Sequence, residues 1–183
     1  MELVRHCRWC NAKNPKYVAY HDNEWGRPTR NEQALYETLM LESFQAGLSW
    51  ECVLNKREGF RAAFDGFSLD RVCEYGEQRI EALCMDRGII RHRAKINACI
   101  QNSRVFQTIL DEYGSFYTYL SAFTGGEILY EIGKTTNAVS DAISRDLRSR
   151  GMKFIGSITV YSYLQAIGMI CSHERDCFLY HEP

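Results

Sequence analysis

From Asn31 the apolar residues Leu35, Leu39, Met40 and Phe44 recur at helical intervals, and Gly47 and Ser49 punctuate the run before Trp50. That recurrence lines one face of a helix. Gly47 suits the left-handed conformation in which helices end, and Ser49 suits the N-cap of a new helix at Trp50. The stretch LESFQAGLSW, Leu41 to Trp50, therefore reads as helix, tight corner and helix. A corner of this kind turns Gln45, Gly47 and Leu48 outward, while Glu42, beside the apolar stripe, and Trp50 face a common pocket. The plainer alternative is an ordinary helix turn with a solvated Glu and a core Trp.

Similar patterns fill most of the chain. Trp50 to Phe64 continues as a helix, Ser68 caps a short one through Cys73, and Gln78 to Met85 and Ala94 to Leu110 carry further apolar stripes. Ser115 caps an aromatic helix through Phe123, Ser140-Asp141 starts a helix that stops at Arg150-Gly151, and a last helix runs from Ser157 to Ile170. Tyr17 to Gly26, YVAYHDNEWG, has no clean period and reads as an ordered loop that Tyr20 and Trp25 anchor. Thr124 to Thr136 reads as a long glycine-rich loop. No pair of strands is evident and no repeat of fixed period occurs, so the expected fold class is all-α, two lobes packed as one body.

A length of 183 residues fits one ordinary domain, or two small lobes sharing a cleft. With 45% hydrophobic and 25% charged residues, neither disorder nor a membrane span is expected. No targeting segment follows Met1, which makes the cytoplasm the expected location. The formal net charge is −1, so a nucleic-acid surface has to be a local basic patch. Between two helices, Gly88-Ile-Ile-Arg-His-Arg-Ala-Lys95 supplies such a patch. A glycine turn there delivers backbone amides to a helix start, with Arg87, Arg91, Arg93 and Lys95 nearby, which is the outline of a phosphate site. A solvated basic turn is the competing reading.

The eight cysteines sit in a chain too long for a disulfide-stapled miniprotein, so reduced thiols are expected. Cys52, Cys84 and Cys99 fall in apolar helical patterns and read as small buried hydrophobes. The termini differ: His6, Cys7 and Cys10 lie near one end and His173, Cys177 and His181 near the other. A CxxC and an HxxxC of this kind can complete a tetrahedral zinc site that pins the ends together, or they can be unliganded side chains.

Taken together, YHDNEWG, LESFQAGLSW, GIIRHRAKI and MKFIGSITVYSYLQAIGMICSHERDC resemble the 3-methyladenine DNA glycosylase I family of the helix-hairpin-helix superfamily, in the same order and over nearly the whole chain. The resemblance implies one glycosylase domain over residues 1–183, with two helical lobes sharing a base-binding cleft. It implies a monofunctional base-excision enzyme that flips 3-methyladenine out of double-stranded DNA and hydrolyses its N-glycosidic bond without lyase activity. Tyr20, Glu42 and Trp50 correspond to the base pocket, with Glu42 the catalytic residue, divided between recognition and electrostatic support. Gln45, Gly47 and Leu48, with Gly88, Arg91, Arg93 and Lys95 of the hairpin, correspond to the DNA surface. One structural zinc is implied on Cys7, His21, His173 and Cys177, which puts His21 where composition alone suggested Cys10. The spacing from Cys7 to His21 is one residue longer than the family pattern. Asp111 is not assigned a catalytic role, because this branch lacks the acid that other helix-hairpin-helix glycosylases place past the hairpin. A monomer without membrane association is expected. Two other classes compete: a non-enzymatic DNA-binding protein using hairpin and zinc as scaffold, and a catalytic metal hydrolase with an open coordination position near Glu42.

Overall fold

The computed structural model describes residues 4–181. Among the described residues ten α-helices carry the fold: α1 (Pro15–Asn23), α2 (Glu32–Gln45), α3 (Trp50–Asn55), α4 (Arg57–Ala63), α5 (Leu69–Cys73), α6 (Glu77–Met85), α7 (Arg93–Tyr113), α8 (Phe116–Thr124), α9 (Ala138–Ser149) and α10 (Ser157–Ala166). No helix among the described residues is long and apolar enough to cross a membrane.

The expected corner forms where the sequence places it. Asn31 caps α2 by accepting from Ala34 N, Gly47 sits at φ +78°, and Ser49 caps α3 by accepting from Cys52 N. Leu35, Leu39, Met40 and Phe44 are all buried, and α2 packs against α7 and α10 at the centre of the protein. Phe44 meets Phe60 with ring centroids 4.6 Å apart, which ties α2 to α4. Truncating a fully buried ring of this kind costs about 3–5 kcal/mol.

Five expectations require correction. Tyr17 to Gly26 is mostly helix rather than loop, because α1 covers Pro15–Asn23. Its start follows the rule for helix entry: Asn14 accepts from Lys16 N, and Pro15 sits where its missing N–H costs nothing. The segment from Trp50 to Phe64 divides at Lys56 into α3 and α4. The last helix ends at Ala166, and the chain then turns at Gly168 and extends. Leu129–Tyr130 (β1) pairs in parallel with Ile170–Cys171 (β2), so the expected long loop holds a short strand. Of the three cysteines read as core, Cys99 is buried, whereas Cys52 and Cys84 are half-buried.

Gly168 positions the site most directly. It has φ +76°, and a Cβ there would lie 2.3 Å from Pro28 N, so only glycine allows the end of α10 to lie this close to Pro28. Gly26 N then donates to Gln165 O and Thr29 N to Ile167 O, both at 3.2 Å. The chain between α1 and α2 is thereby laid across α10, carrying Trp25 with it.

Candidate active site and metal cluster

A second hydrophobic cluster lies apart from the main core: Tyr17, Tyr20, Trp25, Leu54 and Ala166, with Trp9 and Trp50 packed against it. These rings border a cavity of about 810 Å³. Helix α1 contributes Tyr17 and Tyr20, the last turn of α2 contributes Glu42 and Gln45, and α3 opens with Trp50. Helix α10 adds Ser162 and Gln165, while Ile132 to Lys134 form part of another wall. Tyr20 and Trp50 face each other with centroids 5.3 Å apart and an interplanar angle of 42°.

Glu42 supplies the pocket's electrostatic character. It is only 4% exposed, and its carboxyl has no hydrogen-bond partner among the described residues. Burial alone pushes its pKa up to about 8, so at neutral pH the empty pocket holds a carboxylic acid. A cation entering the pocket restores the carboxylate, because the opposite charge replaces the lost solvation. Burial and Glu42 also push the Tyr20 phenol well up, so its hydroxyl stays protonated. The indole Nε1 of Trp50 is buried without a partner, an unsatisfied donor beside the same cavity.

The corner that holds Glu42 is fastened from below. Lys95, expected on the DNA surface, is buried, and its Nζ donates to Phe44 O at 2.7 Å and Ala46 O at 2.6 Å. Its charge caps the C-terminal carbonyls of α2. It thus faces the interior, and this corrects its expected place. Arg91 and Arg93 are exposed, although Arg93 pairs with Glu77. His92 caps α7 by accepting from Lys95 N, so part of the helix-start amide set is already engaged. Gly88 donates to Asp86 Oδ1 at 2.7 Å, and a shallow basic depression lined by Lys56, Arg87 and Arg91 adjoins it. Gln45 Nε2 donates to Leu48 O at 2.7 Å, which folds the corner tip while Gly47 and Leu48 stay exposed. Asp111 is exposed at the far end of α7 and accepts from Gln107, away from the cavity.

Cys7, His21, His173 and Cys177 converge with all four ligand atoms within 4.8 Å of one another, and all four residues are buried. Cys10 is outside this group. Cys7 Sγ lies 3.5 Å from His173 Nδ1, and Cys177 Sγ lies 3.5 Å from His21 Nε2 and 3.6 Å from His173 Nδ1. Zinc bonds of about 2.3 Å to sulfur and about 2.0 Å to nitrogen, at tetrahedral angles, set sulfur and nitrogen about 3.5 Å apart. The donor set therefore fits a tetrahedral ion in both chemistry and size. Burial brings the His173 pKa down to about 4, which keeps the imidazole neutral, the form that binds metal. Backbone amides of Glu174 and Leu179 point at Cys7 Sγ and Cys177 Sγ, at 3.4 and 3.5 Å.

The cluster backs directly onto the cavity. Trp9 stacks at an angle on His21 with centroids 5.2 Å apart, Trp25 meets His173 edge-on at 4.8 Å, and Trp9 meets Trp25 at 4.7 Å. Both tryptophans line the cavity, yet sequence reasoning left Trp9 without a role and made Trp25 only an anchor. Ser162, Gln165 and the Ile132–Lys134 wall were missed as well. The density of aromatic residues beside the histidines was a signal for the tryptophans; no local pattern marks the others.

Comparison with known proteins agrees with this geometry. A model of the methyladenine glycosylase family matches residues 9–180. DNA-3-methyladenine glycosylase 1 of Escherichia coli (strain K12) is 41% identical over 184 residues, covering 97% of each chain. A crystal structure of 3-methyladenine DNA glycosylase I superposes with a TM-score of 0.92 at 38% identity, covering 97% of this chain and 100% of that one. Another, of a variant of 3-methyladenine DNA glycosylase I in complex with 3-methyladenine, gives a TM-score of 0.88 at 34% identity, with 91% and 93% covered. Sharing this fold at this level of identity along nearly its whole length, the chain belongs to the methyladenine glycosylase family.

Proposed function

We propose that this protein is a monofunctional DNA glycosylase of base excision repair, which removes 3-methyladenine from alkylated double-stranded DNA after flipping the base. The observation that carries this reading is the buried, unpartnered Glu42 carboxyl set beside the rings of Tyr20 and Trp50. A pocket of that kind favours a base made cationic by methylation at N3, which restores the carboxylate, over a neutral adenine, which leaves the acid protonated. Aromatic faces add cation–π attraction of about 0.5–2 kcal/mol per good contact.

In the reaction the N-glycosidic bond breaks with its electron pair passing to the base, which leaves as neutral 3-methyladenine. Water adds to C1′ of the resulting oxocarbenium-like sugar and loses a proton, giving an abasic site. Methylation already weakens the bond, so recognition supplies most of the selectivity. Glu42 acts as the catalytic residue with a divided role, recognising the cationic base and giving electrostatic support to the positive charge that passes to the sugar as the bond breaks, while Tyr20 and Trp50 hold the ring. Gln45, Gly47 and Leu48 meet the opened base stack, a step that costs a few kcal/mol and is easiest at a damaged pair. Gly88, Arg91 and Arg93, joined by Lys56 and Arg87, track one phosphate backbone.

Cys7, His21, His173 and Cys177 hold one structural zinc. A site with four protein ligands supplies a cross-link and no reactive water, which weighs against a metal hydrolase. The chain works as one domain of two helical lobes with the cleft between them. Release of free 3-methyladenine from alkylated duplex DNA, measured against heat-killed protein, tests the whole reading. No release above that control leaves the non-enzymatic DNA-binding protein as the function.

A further inference from the structure

The metal cluster has an outer layer that the ligand set does not account for. His21 Nδ1 lies 2.7 Å from Asp22 Oδ1, and the His21 ring is fully buried. Neighbouring residues on a helix ordinarily point apart, so this contact between adjacent side chains is a specific one. Arg27 Nη2 also donates to Asp22 O at 2.6 Å in the last turn of α1. On the outer side His6 Nε2 approaches Asp22 Oδ1 at 3.3 Å, and the His6 ring meets that of His21 edge-on.

We propose that Asp22 is a positioning residue for the metal cluster, fixing His21 in the tautomer that leaves Nε2 bare for the ion, while His6 braces the Asp22 carboxylate. This inference rests on the zinc reading above. A carboxylate only accepts hydrogen bonds, so the single proton of a neutral His21 ring belongs on Nδ1. The Nε2 lone pair is then free, and two observations agree: Cys7 N donates toward Nε2 at 3.3 Å, and Cys177 Sγ lies 3.5 Å from it. His173 is arranged in the opposite sense. Its Nδ1 faces the two sulfurs, and its ring meets Trp25 edge-on. His21 thus has an outer carboxylate acceptor, and such partners orient metal-bound histidines. His6, His21 and Asp22 also approach one another closely enough to hold an ion by themselves. That arrangement would require His21 Nδ1 to give up the proton that Asp22 accepts, so the carboxylate serves better as an orienting group.

The test uses the full zinc-loaded chain and competition with a chelator of known affinity. Asp22→Asn is expected to weaken zinc binding roughly 10–100-fold, with part of the loss restored by Asp22→Glu and a smaller loss in His6→Ala. Nitrogen-15 spectra of the wild-type protein should show His21 protonated at Nδ1 and metal-shifted at Nε2, a readout that needs no variant to fold. Equal zinc affinity in wild type and Asp22→Asn removes the role of Asp22 alone. A His21 ring bound through Nδ1, or a second equivalent of zinc lost on Asp22→Asn, overturns it in favour of direct ligation. A wild-type chain that takes up no zinc overturns the metal reading and this inference together.

Discussion

Lys95, in the first turn of the hairpin's second helix, donates from Nζ to Ala46 O at 2.6 Å, where α2 ends. The hairpin and the corner that carries Glu42 are therefore fastened by one buried ammonium. Lys95→Met keeps the side-chain volume but leaves the carbonyls of Phe44 and Ala46 without this donor. The expected loss is about 1.5–3 kcal/mol, the range for hydrogen bonds to a charged group. Denaturant unfolding measures it, and the salt dependence of DNA binding should stay at the wild-type slope. A flatter slope with unchanged stability would place Lys95 on a phosphate instead.

Glu42 gives a pH dependence of defined sign. Its carboxyl titrates near pH 8 in the folded chain and near its ordinary value of 4.5 when unfolded, so between these the native state holds the extra proton. Stability contributed by Glu42 is present at acid pH and falls as pH rises through that window, by about 1.4 kcal/mol per pH unit at most. Glu42→Gln should remove this slope and be the more stable protein above pH 8. Its excision should be slower, because the isosteric amide cannot balance a cationic base. For the wild type, kcat/KM should climb with pH to a plateau above about pH 8, and the climb should vanish in Glu42→Gln. Wild-type kinetics in the variant would remove Glu42 from the reaction.

Because Trp9 and Trp25 lean on His21 and His173, loss of zinc should reach the base pocket. Cys177→Ala is expected to release the metal, lower the thermal midpoint and weaken binding of free 3-methyladenine severalfold. Cys10→Ala should retain zinc and the wild-type midpoint. Metal analysis with calorimetry separates these, and zinc lost from Cys10→Ala but kept in Cys7→Ala would reverse the first ligand.

Gly59 on α4 lies against the hairpin so closely that an added Cβ would sit 2.3 Å from Gly88 O. Gly59→Ala forces α4 and the hairpin apart, at a cost of about 1–3 kcal/mol for overpacking. DNA affinity should fall with the stability while base binding in the pocket persists. Unchanged affinity for duplex DNA would show that the hairpin's placement does not matter to binding.

Arg91 and Arg93 should differ, since Arg93 already pairs with Glu77 and Arg91 has no salt-bridge partner among the described residues. Arg91→Ala is expected to reduce the slope of log affinity against log salt by about 0.9, one phosphate's worth of released counterions. Arg93→Ala should reduce it less. Equal slopes for both variants would mean that Glu77 yields Arg93 to the DNA at no cost.

The helices and their ends were legible because their determinants are local. Asn31, Ser49 and Ser115 each accept from the backbone amide three residues onward, as their sequence positions imply. The apolar stripe of α2 is buried as its period implies, but from Leu39 to Phe44 the helix is buried on every side, so the depth of Glu42 came from the neighbours packed around it. Helix α1 was missed although Asn14-Pro15 announces it, since its apolar residues are polar-edged aromatics that give no clean period. Resemblance supplied His21 where spacing alone offered Cys10, and the convergence of the four ligand atoms agrees with it.

What the sequence determined by itself, then, is where most of the helices lie and where capped ones begin, and that Glu42 and Trp50 flank one corner. Tertiary structure alone decided the direction of Lys95, the pairing of Leu129 with Ile170, and the contact of Trp25 with His173. Each of these joins residues at least 41 positions apart, and no caps or periods encode such contacts. They arise because the buried carbonyls at the end of α2 need a donor, the strand edge needs a partner, and the rings behind the pocket need a surface on which to pack.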